Sequence, residues 1–226
     1  IGRGAGEGVS DEALYRTRHW TSEEYEKRFS SEDTLEALET IRGWFAPGTA
    51  DVRAIQFVLA QLDKGTITKK PGPSTVQSLA ADVLGEIVRK GDELAVTNII
   101  KRLESTRGPH REIAFRALPM VVERGDERAL QAVLRYLTHD DESVRQMAFA
   151  SLAKIAGKDN SFVIAEVIRC LSRPEPGVRE SAALSLGLIT SGADEHAIQA
   201  LKQATEDGVG CVKRAAAQSL DKLCMS

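Results

Sequence analysis

The chain matches itself at an interval of 34 residues, and that interval limits the fold more than any other feature. The pairs Val76-Gln77, His110-Arg111, Val144-Arg145, Val178-Arg179 and Val212-Lys213 stand in one register. Ala80, Ala114, Ala148, Ala182 and Ala216 follow in step, then Leu84, Leu118, Leu152, Leu186 and Leu220. A further column reads Ile87, Val121, Ile155, Ile189 and Leu223. Four columns of five residues with no insertion mark a tandem array. In such an array each unit buries its apolar stripe only against its neighbours.

Within a unit the spacing is helical. Val144, Met147, Ala148, Leu152 and Ile155 fall on one face of an α-helix. The turn after it carries Gly91-Asp92, Gly125-Asp126, Asp159-Asn160 or Ala193-Asp194. Glycine there suits a left-handed helix end, and the Asp or Asn after it suits an N-cap. A shorter helix follows, with Leu130, Val133, Leu134 and Leu137 on one face, echoed by Val96, Ile99, Ile100 and Leu103 and by Ile164, Val167, Ile168 and Leu171. A polar turn such as His139-Asp140-Asp141-Glu142 or Arg173-Pro174-Glu175-Pro176 then leads into the next long helix. The expected fold is all-α: a solenoid of about five 34-residue helix pairs with an irregular helical N-terminal cap.

A 34-residue period is also that of tetratricopeptide repeats. Their Trp/Leu-Gly/Tyr pattern is missing from the first helices, which carry Val, Ile and Leu. The segment Asp141 to Leu152, with Val144-Arg145, Ala148 and Leu152 in order, instead resembles HEAT-like repeats, in particular the short phycobilisome-lyase variety. The resemblance covers about residues 74–226. It implies a right-handed stack whose long helices present their polar side as the concave, partner-binding surface. It also implies that the basic residue of the Val-Arg pair bonds the acid of the preceding turn, as Arg145 would with Asp141.

The first 73 residues are less regular. Residues 1–10 are Gly-rich and read as a flexible tail, and 11–73 as an irregular helical segment ending in a loop, before the array at 74–226. Thr21 and Glu24 suit a capping box for a short helix over Ser22–Phe29. Leu35, Leu38, Ile41 and Phe45 make an amphipathic helix that Pro47-Gly48 ends, and Val52, Ile55, Val58, Leu59 and Leu62 make another. Lys64 to Pro73 is expected to be an exposed loop. The first residue is Ile1 rather than Met, which suggests a processed or partial chain. Pro119 falls where other units have Gly, Ala or Asp, and is expected to kink its helix.

Charge and motifs narrow the function. With 30 basic and 33 acidic residues interspersed, the chain lacks the basic excess of a phosphate-binding protein, so no nucleic acid is expected. No apolar run reaches the roughly 20 residues needed to cross a bilayer. Cys170, Cys211 and Cys224 are widely spaced and suggest neither a metal knuckle nor a disulfide framework, which fits a reducing compartment. There is no Gly-rich phosphate loop, no nucleophile elbow and no zinc helix. No His-Glu pair occurs of the kind that holds iron in HEAT-like hydroxylases. No catalytic, cofactor or metal residue is therefore assigned. Cys211 could have its thiol activated at a helix N-terminus, or could simply fill a repeat turn.

Two sets of residues remain as candidates. Arg111, Arg145, Arg179 and Lys213 form a basic column, either a stripe for acidic partners or, with Asp141, a structural ladder. Glu112, Arg116, Gln146, Glu180, Arg214 and Gln218 lie on the polar side of the long helices, where a partner or only solvent meets them. Seven of the eleven aromatics fall within the first 57 residues, and Trp20, Tyr25, Trp44 and Phe45 among them suit an interface or an end cap. The last helix runs into Leu223-Cys224-Met225-Ser226, which suggests an apolar C-terminal end awaiting cover. These features favour a non-catalytic protein-binding scaffold, an accessory or assembly subunit of a larger complex. The resemblance adds one alternative, a bilin lyase or tetrapyrrole-handling protein.

Overall fold

The computed structural model describes residues 34–63, 74–191 and 194–224. The Gly-rich tail, the helix over 22–29 with Thr21 and Glu24, the loop at 64–73, and Trp20 and Tyr25 lie outside the described residues. Among the described residues there are eleven helices and no strand. They fall in two compact units, Ile1–Val121 and Val122–Ser226.

The first unit contains α1 (Thr34–Trp44), α2 (Val52–Gln61), α3 (Thr75–Ile87), α4 (Glu93–Leu103) and α5 (Gly108–Val121). The starts of α2, α3 and α4 each have a polar cap that satisfies an otherwise orphaned backbone N–H. Asp51 accepts from Ala54 N at 2.8 Å and Asp92 from Ala95 N at 2.9 Å. Ser74 and Gln77 form a reciprocal capping box at the head of α3. Gly91, at φ +80°, takes the left-handed turn that an L side chain resists. Its N–H donates to Val121 O at 2.8 Å, so the turn of one repeat is tied to the long helix of the next. Packed inside are Leu38 and Ile41 with Ala80, Leu84 and Ile87 of α3 and Ala114, Leu118 and Val121 of α5. Pro119 sits within α5, which spans it as one helix.

The second unit contains α6 (Glu127–Leu134), α7 (Glu142–Ala156), α8 (Ser161–Cys170), α9 (Pro176–Ile189), α10 (Glu195–Ala204) and α11 (Gly210–Cys224). Asp126, Asp141, Asn160 and Asp194 each cap a helix through a side-chain oxygen. The inter-repeat stitch recurs: Gly125 N donates to Ile155 O and Asp159 N to Ile189 O, both at 2.8 Å. Asp159 makes this turn at φ +61°, the only described non-glycine residue in that region. Ala148, Ala182 and Ala216 are fully buried, as are Leu152 and Leu186. Each such leucine contributes about 1.5–3 kcal/mol by leaving water.

The small alanine column lets successive long helices approach closely, and between α9 and α11 the approach is closer still. A Cβ on Gly187 would lie 2.8 Å from Ser219 Cβ and 3.0 Å from its Cα. Ser219 is buried and donates its hydroxyl to Ala183 O at 2.8 Å, satisfying a polar group that would otherwise be costly.

The end of α11 differs from the apolar surface expected of it. Leu223 turns inward and is buried, whereas Lys213, Arg214, Ala217, Gln218, Asp221, Lys222 and Cys224 are exposed. Helical periodicity sends the late leucine to the core side and leaves small and polar groups outside. Met225 and Ser226 lie outside the described residues.

Candidate functional site

The basic column acts on backbone carbonyls. Arg145 is buried, and its Nη1 donates to His139 O at 2.7 Å and Asp140 O at 2.8 Å. Arg179 does the same with Arg173 O and Pro174 O, and Arg111 Nη2 reaches Ser105 O at 2.9 Å. At the first position of the column Gln77 takes the role, its Nε2 donating to Leu62 O at 2.7 Å. These turn carbonyls have no helical partner, so a long donor side chain closes them.

The expected pairing of Arg145 with Asp141 is not formed. The Asp141 carboxylate instead accepts from Ser143 N and Ser143 Oγ as the cap of α7, and these bonds hold it below the usual aspartate pKa. A charge link between turns exists one repeat later: Arg179 Nε and Nη2 donate to Asp207 at 2.8 and 3.0 Å. That pairing raises the arginine pKa and lowers the aspartate's. Lys213 is exposed and adds to the positive field around Asp207.

The outward side of the long helices differs between the units. In the first unit it is closed by ion pairs. Arg116 of α5 places Nη2 2.8 Å from both oxygens of Asp82 on α3, and Arg42 of α1 pairs with Glu86 of α3. Glu112 is half-buried beside them. Arg116 thus answers to a carboxylate of its own unit. Phe45 is only 6% exposed and belongs to the core, so it cannot serve as a surface anchor; Trp44 is half-buried and engaged within the chain.

In the second unit the same side opens into a groove of about 210 Å³ between α7 and α9. Glu142, Gln146, Phe149 and Ala150 line one wall, and Glu180, Leu184 and Leu188 are on the other. Gln146 and Glu180, picked from the sequence, come together here; Arg214 and Gln218 are exposed on the neighbouring helix α11. Gln146 Nε2 donates to Glu142 Oε1 at 2.9 Å. Desolvation and the nearby Glu180 carboxylate push the pKa of Cys211 up, the reverse of an activated nucleophile.

Leu184 and Leu188 were missed in the sequence, and Leu188 is 51% exposed, whereas Phe149 beside them is buried in the core. A signal existed. Leu184 stands in register with Asp82, Arg116, Ala150 and Gln218, and Leu188 with Glu86, Met120, Lys154 and Lys222. Both leucines break columns that are otherwise mostly polar, which is where a partner-facing residue would show itself. Among the described residues no group of three His, Cys, Asp or Glu side chains could hold a metal, and no helix is long and apolar enough to cross a membrane.

The profile of HEAT repeats matches residues 153–221. That match, within the second unit, agrees with its register of paired helices, and the described residues are all-helical. No curated protein matches the chain in sequence. Among solved structures, a designed armadillo repeat protein in complex with the peptide (KR)4 is 17% identical, covering 88% of this chain and 98% of its own, with a TM-score of 0.49. A second designed armadillo repeat protein is 17% identical over 90% of this chain and 100% of its own, with a TM-score of 0.44. An engineered protein of the Northeast Structural Genomics Consortium is 21% identical over 90% of this chain and 96% of its own, with a TM-score of 0.41.

Proposed function

We propose that this chain is a non-catalytic protein-binding scaffold, an accessory or assembly subunit of a larger complex, and that it binds through the outward side of α7, α9 and α11. The contrast between equivalent columns carries this reading. Where the first unit pairs Asp82 with Arg116 and Glu86 with Arg42, the second unit presents Leu188 to solvent, with Leu184 partly exposed one turn before it. A leucine half in water contributes little to folding, and in a groove flanked by polar groups it suits a partner's side chain.

The groove is open and, at about 210 Å³, smaller than the roughly 300–1,000 Å³ that encloses a small-molecule ligand. This favours a protein surface over a tetrapyrrole pocket. Affinity purification of the full chain from native extract, with mass spectrometry of stoichiometric companions, is the test. A defined set of proteins supports the scaffold, whereas the chain recovered alone, coloured or ligand-loaded, overturns it.

A further inference from the structure

The groove between α7 and α9 is chemically polarised along its length. Glu142 opens α7 and Glu180 lies one turn into α9, and Leu184 and Leu188 lie further along α9. Phe149 and Ala150 complete the apolar part from α7. One oxygen of Glu142 is occupied by Gln146, and Glu180 has no cationic side chain beside it in the groove lining. No cation lines this groove. From Glu180 to Leu188 the helix advances about 12 Å, at about 1.5 Å per residue.

We propose that this groove takes a partner segment carrying a lysine or arginine and, about 12 Å away, a large aliphatic or aromatic side chain. The inference rests on the protein-binding reading above and adds the chemistry of the bound segment. The cation sits between the Glu142 and Glu180 carboxylates, where it makes charge-assisted hydrogen bonds. The apolar group covers Leu184 and Leu188 and removes from water the surface that the fold itself leaves bare. A groove this small admits side chains rather than a whole helix, so the spacing of the two anchors sets specificity. In an extended segment that spacing is about three or four residues, and in a helical one about two turns.

The test is a selection of random 16-residue displayed peptides on the immobilised full chain, beside an E142K/E180K variant and an L184S/L188S variant of unchanged melting temperature. The wild-type chain is expected to enrich peptides with Lys or Arg at the stated spacing from Leu, Ile, Phe or Trp. The charge-reversed variant enriches Asp or Glu in place of the cation, and the serine variant loses the apolar preference. A selected peptide binds E142Q/E180Q about tenfold more weakly than wild type. No enrichment on the wild-type chain, or the same sequences on all three proteins, overturns the proposal. If native purification recovers defined partners while the selection fails, the groove is wrong and the scaffold stands. If the selection succeeds while the chain purifies alone, the scaffold in its native setting is what fails.

Discussion

Arg179 and Asp207 form a two-point ion pair across successive repeats, Nε to Oδ2 at 2.8 Å and Nη2 to Oδ1 at 3.0 Å. Both side chains are largely shielded from solvent, at 14% and 13% exposure, and Arg179 also closes the carbonyls of Arg173 and Pro174. One guanidinium therefore holds its own turn and the next.

Loss of that link is expected to lower stability by about 2 kcal/mol, between the cost of an exposed pair and that of a buried one. The Asp207 pKa is lowered in the folded state. Its contribution is thus complete above the ordinary aspartate value of about 3.9 and is lost as pH falls through the lower folded value. The melting-temperature gap between wild type and D207N should stay constant from neutral pH to about 4 and shrink below it. A gap that persists at lower pH would contradict the role given to the carboxylate.

One repeat earlier the same device is incomplete. Arg145 bonds two carbonyls, but its buried Nε has no partner, and the position in register with Asp207 is Arg173. Replacing Arg173 with Asp supplies the missing acceptor and removes a like charge. Thermal unfolding of R173D should show a gain of about 1 kcal/mol. An unchanged or lower melting temperature would mean that the turn cannot bring a carboxylate to Arg145.

The close crossing of α9 and α11 makes Gly187 a sensitive position. In Gly187→Ala the new methyl meets the backbone of Ser219, which cannot rotate away. The expected cost is about 2–3 kcal/mol in denaturant unfolding. Gly43 in α1 is the control: a Cβ there meets nothing within 4 Å, and Gly43→Ala should stabilise by about 0.5–1 kcal/mol. Similar effects at both sites would refute the packing argument.

The parts of this fold that could be read in advance are those that every repeat must share. Ala148, Leu152 and Ile155 recur because each layer needs the same small contact and the same filling. Gly91 and Gly125 recur because the turn needs a left-handed residue. Competing uses of one side chain were not legible: Asp141 could cap a helix or pair with Arg145, and only the geometry shows that capping took it. Phe45 lies outside the repeat register, so nothing in the pattern told burial from exposure. The groove was hidden for the opposite reason. Leu184 and Leu188 depart from their columns, and attention to what repeats passes over what deviates.

The central claim is that protein partners dock on the second unit's long helices and not on the ion-paired side of the first. Native affinity purification of three proteins tests it most directly: wild type, L188E in the groove, and R116Q at the Arg116–Asp82 pair. Leu188 is half exposed, so L188E should keep the wild-type melting temperature within about 0.5 kcal/mol of stability. Wild type and R116Q are expected to recover the same stoichiometric set of proteins, and L188E to lose it. Recovery of that set by L188E, or its loss with R116Q alone, would contradict the account.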